Sequence, residues 1–265
     1  MAKNAKKPNV TRKPTVAVQL IIFGKRARED LAGVLDDVAK AGYQGVETGM
    51  MAAHVSGKDF RKMLQDRGLV HVGAHWSGDK ADQIGPVLDW LRETGATDLP
   101  MSDLDTRELS ADLYKRKAEV YNAAGRRCAE AGIALSYHNH NWELGRIGDR
   151  LALEFLYERT DPAALKACID VYWVRDGGQD PAAFVRKHAA RLRILHAKDS
   201  FTEERDQRSF CPVGAGVLDF PAIFAAAAAS PAPWVVVEQD VPRAGTTPAD
   251  ECALSRKFIK EMIGL

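Results

Sequence analysis

The feature that most constrains the fold is an alternation of short apolar runs with stretches whose apolar residues recur at helical spacing. The first apolar run is Thr15–Ile22, and the last is Trp234–Glu238. The segments between such runs end at glycines, as Asp30–Ala41 does at Gly42. An alternation of this kind predicts parallel βα units.

The predicted strands are short, and each is followed by a predicted helix. The strands are Thr15–Ile22, Gln44–Glu47, Leu69–Ala74 (ending in His75), Thr97–Met101, a fifth beginning at Gly132 and ending in His138 and His140, Ala167–Trp173, Arg193–His196 and Trp234–Glu238. The helices are Asp30–Ala41, Asp59–Gln65, Asp82–Glu93, Leu109–Ala131, Leu151–Glu158, Pro181–His188, Phe220–Ala228 and Pro248–Ile263.

This count of units matches a closed (β/α)₈ barrel. The chain has 265 residues, 46% of them hydrophobic, and such barrels typically have about 250 residues. A doubly wound open sheet is the rival, but it would more often carry a Gly-rich nucleotide turn after its first strand. Ile22-Phe23-Gly24-Lys25 contains no such turn. We therefore predict an α/β protein with a single (β/α)₈ TIM barrel over residues 15–265.

Charge and cysteine content exclude several classes of partner. The net charge is +1, so no overall field attracts nucleic acid or an anionic membrane. Residues 1–14 are basic and are followed by no long apolar run, which predicts a disordered tail and neither a signal peptide nor an anchor. The four cysteines form no CxxC pair, which indicates reduced thiols in a cytoplasmic protein. The oligomeric state stays open, a homo-oligomer included.

Polar residues are concentrated where the predicted strands end. In a barrel, active residues gather at the carboxyl ends of the strands. Any one of these side chains could be a cap or a packing residue. The strand-end residues are Glu47, His75, His138, His140, Glu143, Asp170, His196, Lys198 and Glu238.

The last four strands end in an imidazole, a carboxylate, an imidazole and a carboxylate: His138, Asp170, His196 and Glu238. Neighbouring strands lie about 4.8 Å apart, so these four side chains can converge on one ion. We therefore predict one divalent cation. A mixed nitrogen and oxygen set suits Mn²⁺, Co²⁺, Zn²⁺ or Fe²⁺ better than an all-oxygen Mg²⁺ or Ca²⁺ site does, and Mg²⁺ stays among the candidates. Alternation along the strand also places His140 on the same side as His138, so the sequence leaves open which of the two is the ligand.

Several motifs resemble the sugar phosphate isomerase/epimerase family, the xylose isomerase-like barrels. The resemblance covers nearly the whole chain after residue 14, and its motifs are specific for the superfamily rather than for one substrate. The motifs are Val18–Leu20, Gly42–Glu47, Gly132–Glu143 (GIALSYHNHNWE), Ile169–Trp173, Leu195–Asp199, Gly214–Phe220 and Val237–Glu238.

The resemblance implies a glutamate, an aspartate, a histidine and a glutamate on strands five to eight as metal ligands. Asp170, His196 and Glu238 match the last three, whereas His138 stands in the place of the first glutamate. In the family's epimerases two glutamates flank the substrate, so this departure puts the symmetric mechanism in doubt. Glu143, just beyond the strand, is the carboxylate that could replace it.

The reaction expected of such a site starts with the removal of a proton from the carbon next to a carbonyl, which forms an enediolate. Glu238, Glu143, Lys198 and His140 are the predicted catalytic groups, and Glu47, His75 and Trp173 are predicted to bind substrate. Lys198 is read equally well as an oxyanion stabiliser, or proton shuttle, and as a rim salt bridge. The resemblance favours an isomerase or epimerase acting on a sugar, sugar phosphate or related keto compound. A lyase or dehydratase on the same barrel is a close second.

Two further readings stay open. Similar barrels cut DNA with three metals, but strands one to three offer only Glu47 and His75 as extra ligands, and no basic groove is indicated. A barrel that only binds a ligand or a partner is compatible with the histidine at position 138. The Gly214-Ala215-Gly216 turn, with Arg205 and Arg208 near it, could hold a phosphate, although a GxG pattern alone is weak.

Overall fold

Eight parallel strands close into a barrel in a computed structural model that describes residues 14–49, 54–77, 84–104, 108–202 and 209–264. Each strand pairs with the next along the chain, and the eighth pairs with the first. The predicted fold class is thus confirmed. The predicted tail, apart from Pro14, and the first two residues of the helix predicted from Asp82 lie outside the described residues.

The barrel strands are short and are numbered here in chain order. They are β1 (Thr15–Gln19), β2 (Gly45–Gly49), β3 (Val70–His75), β4 (Asp98–Met101), β5 (Ala134–His138), β6 (Lys166–Asp170), β7 (Leu192–Ala197) and β8 (Trp234–Val237). Two small antiparallel ribbons lie outside the barrel and pair Arg146–Ile147 with Arg150–Leu151, and Asp199–Ser200 with Phe210–Cys211.

The helices surround the barrel. They are α1 (Arg26–Glu29), α2 (Leu31–Ala41), α3 (Gly57–Gln65), α4 (Ile84–Thr94), α5 (Ala111–Glu130), α6 (Ala152–Arg159), α7 (Val171–Asp176), α8 (Pro181–Lys187), α9 (Phe220–Ala227) and α10 (Pro248–Ile263).

Local chemistry explains the helix boundaries. The Asp30 side chain accepts from Gly33 N at the start of α2, and Gly42 ends that helix with φ 87°. At α10, the Thr247 side chain accepts from Asp250 N, and Pro248 occupies the first turn, where a missing N–H costs nothing. Both helices were predicted with nearly these bounds.

The first and sixth predicted strands run furthest past the observed ends, which lie at Gln19 and Asp170. The Gln19 side chain accepts from Ile21 N at 2.6 Å, which turns Leu20–Phe23 into a 3₁₀ helix after β1. Asp170 likewise caps α7, so Val171–Trp173 is helical instead of the end of a strand. In both cases a polar side chain captures the free amide groups that would otherwise continue the strand.

The amino-terminal end of the barrel is closed by a charged network, called here the floor: Asp98, Arg193 and Trp234. Asp98 is fully buried, and its carboxylate accepts from Arg193 Nε at 2.6 Å, Arg193 Nη2 at 3.0 Å and Trp234 Nε1 at 3.0 Å. Asp98 and Trp234 begin β4 and β8, and Arg193 is the second residue of β7. The floor therefore ties together strands that are distant in sequence.

Two simple expectations can be compared with the described residues. All four cysteines are free and buried. No helix in the described ranges combines the length and the apolar character that a bilayer span requires.

Candidate metal centre

The carboxyl end of the barrel gathers the four predicted ligands into one cluster. His138, Asp170, His196 and Glu238 each offer one nitrogen or oxygen atom, and these atoms all lie within 4.8 Å of one another. All four side chains are buried. The parallel register brings Asp170 on β6 beside His196 on β7, and β8 continues directly into Glu238. We call this set the mouth cluster.

Asp170 has one oxygen engaged and one left over. Its Oδ1 accepts from Tyr172 N at 2.9 Å and Trp173 N at 3.1 Å, which fixes the carboxylate on the first turn of α7. Its Oδ2 is buried and has no hydrogen-bond partner among the described residues. Burial raises the pKa of Asp170 to about 7, an effect that Lys198 partly offsets. A buried carboxylate oxygen without a hydrogen bond is stabilised by positive charge placed beside it, and Oδ2 is therefore available to a cation.

His196 lies between two carboxylates. Its Nε2 is 3.0 Å from Glu47 Oε2 in a hydrogen bond, and its Nδ1 is 2.6 Å from Glu238 Oε2. The second contact does not have hydrogen-bonding geometry, so Nδ1 is left without a hydrogen-bond partner among the described residues. Burial alone would lower the pKa of His196, but Cys168 and the two glutamates raise it well above its usual value. The surroundings of His196 thus stabilise positive charge.

Glu47 is placed behind His196. Its side chain is fully buried, so it reaches the mouth cluster through the imidazole. A carboxylate on the far nitrogen of a ligating histidine fixes the ring orientation and strengthens the other nitrogen as a ligand. Glu47 is placed to orient His196 in this way, and its predicted contact with substrate stays a prediction.

The other histidines pack edge to face around His138. The ring centroid of His138 is 4.8 Å from that of His75 and 4.9 Å from that of His140. Burial lowers the pKa of His138 well below its usual value and that of His140 to about 3. Both rings are neutral at pH 7, so each keeps a lone pair for a cation or a proton. His75 is anchored differently, with Nε2 2.9 Å from Ser102 Oγ.

Lys198 is buried and is not a rim residue. Its Nζ donates to Glu238 Oε1 at 3.2 Å and to Asp240 Oδ1 at 2.8 Å, and it lies 4.9 Å from the centroid of the Trp173 ring. Burial alone would lower the pKa of Lys198, but Glu238, Asp170 and Asp240 raise it above its usual value. The ammonium group is therefore charged. Asp240 was missed, although its position two residues after Glu238 could have indicated it.

Glu143 does not supply the missing carboxylate to the cluster. Its Oε1 accepts from the Tyr137 hydroxyl at 2.7 Å, and its Oε2 accepts from His140 N at 2.8 Å. Because Tyr137 alternates with His138 along β5, it points towards the helices, and Glu143 follows it there. In this geometry Glu143 holds the backbone of His140 in place, and its catalytic role stays a prediction.

The glycine turn after β7 is also occupied from within. Asp199 Oδ2 accepts from Gly214 N at 2.9 Å and Gly216 N at 3.0 Å, and Oδ1 accepts from Ser200 N and Leu218 N. These amide groups cannot bind a phosphate at the same time. The expected phosphate contact at this turn is therefore wrong for the described residues; Arg205 and Arg208 lie outside them.

The mouth cluster fits a divalent cation on three observations. Its nitrogen and oxygen atoms are close enough to share one ion. Asp170 Oδ2 and His196 Nδ1 are buried without hydrogen bonds among the described residues. Two imidazoles and two carboxylates form a mixed set that suits transition metals and zinc. His138 belongs to this set by position, and His140 does not.

The fold and this site define a barrel enzyme scaffold with its polar centre at the carboxyl ends of the strands. The chain belongs to the xylose isomerase-like TIM barrel family, whose model matches residues 35–262.

Two classes of chemistry occur among similar proteins. The chain is 26% identical to an inosose dehydratase of Geobacillus thermodenitrificans (strain NG80-2), over 87% of this chain and 89% of the relative. It superposes on a sugar phosphate isomerase/epimerase from Parabacteroides distasonis ATCC 8503 with TM-score 0.81 and 24% identity, covering 98% of both chains. The IOLI protein, solved with a bound zinc atom, superposes with TM-score 0.74 and 14% identity over 94% of this chain and 98% of IOLI.

Proposed function

We propose that this chain is a metal-dependent dehydratase that removes water from an unphosphorylated keto-polyol of the inosose class. The observation that carries the proposal is the asymmetry of the mouth cluster. Of the carboxylates in and around the cluster, Asp170 caps α7, Glu47 lies behind His196 and Glu143 faces Tyr137. Asp240 pairs with Lys198, and we therefore assign the base to Glu238, which Lys198 holds through one oxygen.

The metal ligands of this proposal are His138, Asp170, His196 and Glu238. A divalent cation held there would act as a Lewis acid on the substrate carbonyl and its neighbouring hydroxyl. The other groups of the site are the protein's own contribution. Lys198 holds a positive charge beside Glu238, where it stabilises negative charge that develops on substrate oxygen.

Glu238 serves as the base that removes the proton next to the carbonyl. Epimerisation would need a second base on the opposite face of the carbon, and β5 offers His138 there instead of a carboxylate. Elimination of water needs no second base on the opposite face of that carbon. The proton that Glu238 takes from carbon returns to the departing hydroxyl, which leaves as water, so the atoms balance with one acid–base group.

The absence of a phosphate in the proposed substrate follows from the charges at the mouth. Lys198 is already paired with Glu238 and Asp240, and the amides of the glycine turn are taken by Asp199. A neutral polyol would instead suit the aromatic side chains near the cluster, where the ring centroids of Trp173 and His140 are 5.6 Å apart. The similarity to an inosose dehydratase supports the same class.

A panel of keto-inositols and keto-sugars tests the proposal in D₂O with the zinc-, cobalt- or manganese-loaded protein. We expect a product lighter than its substrate by one water, detected by mass spectrometry, from a keto-inositol. The Asp170→Ala variant, treated identically, is the matched control and should give no product. A product that has lost no water, whether or not it has gained deuterium, would overturn the dehydratase assignment.

An isomerase or epimerase is the second candidate, supported by the solved isomerase/epimerase to which the fold is similar. It predicts deuterium at the carbon next to the carbonyl in a product of otherwise unchanged composition. If no member of the panel exchanges that hydrogen or loses water, proton abstraction next to a carbonyl is the wrong chemistry for this site.

A further inference from the structure

The barrel interior directly beneath the mouth cluster contains a thiol that the proposed function does not use. Cys168 lies on β6 two residues before Asp170, so alternation points both side chains into the barrel. The register pairs Cys168 with His138 on β5. The sulfur therefore faces the same imidazole as the mouth cluster, one layer deeper.

The distances match a metal site. Cys168 Sγ is 3.8 Å from His138 Nδ1, and the ligand atoms of Cys168, His138 and His196 all lie within 4.8 Å of one another. With Zn–S near 2.3 Å and Zn–N near 2.0–2.1 Å, tetrahedral angles separate a sulfur and a nitrogen ligand by about 3.5 Å. Only a small contraction separates the observed geometry from ligation.

The surroundings distinguish this thiol from the chain's other buried cysteines. A free cysteine in a core usually acts as a small apolar side chain. Cys168 does pack against the apolar residues Ala17, Val72, Ile194 and Val236, but its sulfur also faces imidazole nitrogen. Cys128, which is equally buried, belongs to no such cluster among the described residues.

We propose that Cys168, His138 and His196 form a second ligand set, which captures thiophilic cations such as Zn²⁺, Co²⁺ and Cd²⁺. This inference rests on the metal centre of the proposed function, because the two sets share both histidines. One ion therefore uses one set at a time. Thiolate and imidazole select softer ions, whereas Mn²⁺ and Mg²⁺ prefer the carboxylates. The thiol proton passes to solvent as the metal–sulfur bond forms.

Absorption spectra of the cobalt-loaded full chain test the proposal, because a thiolate ligand adds a charge-transfer band in the near ultraviolet. We expect that band in the unaltered chain and in Cys128→Ser. We expect Cys168→Ser and Cys168→Ala to bind Co²⁺ without it. Both Cys168 variants should also bind Zn²⁺ about tenfold or more weakly, the scale of losing a metal-supporting group, with Mn²⁺ affinity unchanged.

The outcomes separate the two proposals. Bound Co²⁺ with identical spectra for the unaltered chain and Cys168→Ser would overturn the role of Cys168 and leave the mouth cluster intact. No bound Co²⁺ in the unaltered chain would overturn the metal centre itself and this inference with it. The band in the unaltered chain and its loss in both Cys168 variants would support the sulfur ligand.

Discussion

Both ends of this barrel contain buried carboxylates, but those at the two ends differ in whether the protein supplies their hydrogen-bond partners. At the floor, the buried Asp98 carboxylate accepts from both Arg193 and Trp234. At the mouth, Asp170 Oδ2 and Glu47 Oε1 are buried with no hydrogen-bond partner among the described residues. A buried charged network whose polar atoms all have hydrogen-bond partners stabilises the fold. A network with unpartnered polar atoms lowers stability, and a bound ligand can supply the missing partner.

The difference shows where a barrel can hold function. In this fold the amino-terminal end of the barrel generally contributes stability, whereas the carboxyl end carries the reactive groups. The same division is seen here in individual atoms. The carboxylate oxygens of the floor accept hydrogen bonds, whereas the mouth has buried carboxylate oxygens that accept none among the described residues. Four substitutions test the contrast, beginning with the largest expected effect.

Replacing the base at the mouth should affect turnover most. Glu238→Gln keeps an oxygen for the cation but removes the base, so we expect kcat to fall by about 10²–10⁴-fold. Steady-state kinetics on the substrate identified by the panel measure this. Asp98→Asn at the floor is the matched control and should leave kcat unchanged. A kcat for Glu238→Gln close to that of the unaltered chain would assign the base elsewhere.

Opening the floor should affect stability instead. Asp98→Ala leaves Arg193 without its carboxylate, and we expect a loss on the order of 3 kcal/mol in the free energy of unfolding. Urea denaturation measures it, with zinc affinity of the folded protein as a second readout that should not change. Lys62→Ala, which breaks an exposed pair with Asp66, should cost about 0.5 kcal/mol or less. Equal losses for the two variants would contradict the role of the floor.

The pH dependence of stability should report on Glu143. Burial raises the pKa of Glu143 to about 7 from its usual 4.5, so the folded chain binds a proton that the unfolded chain releases. Stability therefore decreases as the pH rises through this window, by about 3 kcal/mol for this group. Glu143→Gln, which can still bond Tyr137 and His140 N, should make that decrease smaller by the Glu143 contribution in urea denaturation from pH 4 to 8, and the contribution of Asp170 should remain. Parallel profiles for the two proteins would contradict it.

The smallest of these effects is expected at Glu47, which lies behind the predicted metal ligand His196. Glu47→Gln weakens the hydrogen bond that orients His196, and we expect zinc affinity to fall by about 10–100-fold. Competition against a chelating indicator measures the affinity. Glu143→Gln, which changes a buried carboxylate outside the mouth cluster, is the control. Unchanged affinity in Glu47→Gln would mean that Glu47 does not support the ligand.

The barrel itself could be predicted from the sequence because its periodic signals are local. The apolar runs, the caps such as Asp30 and the terminal glycines such as Gly42 each act within a few residues. The same local rule placed His138, Asp170, His196 and Glu238 at strand ends, and the structure brings these four together.

The direction in which side chains turn beyond the strand ends could not be predicted. Glu143 turns to the helix side because the Tyr137 hydroxyl, six positions earlier, donates to it. Lys198 instead pairs with Asp240, 42 positions later in the sequence. Glu47 reaches His196 across the barrel, a contact between residues 149 positions apart. Such pairings depend on barrel closure, which no local pattern encodes.

The most direct test of the account is the number of Mn²⁺ ions bound per chain, measured by equilibrium dialysis followed by elemental analysis, because Mn²⁺ prefers the carboxylates to the Cys168 thiol. We expect one ion per chain for the unaltered protein, and none for Asp170→Ala or His196→Ala, both folded by circular dichroism. Full occupancy in both variants, or no ion in the unaltered chain, would contradict the claim that the last four strands share a cation.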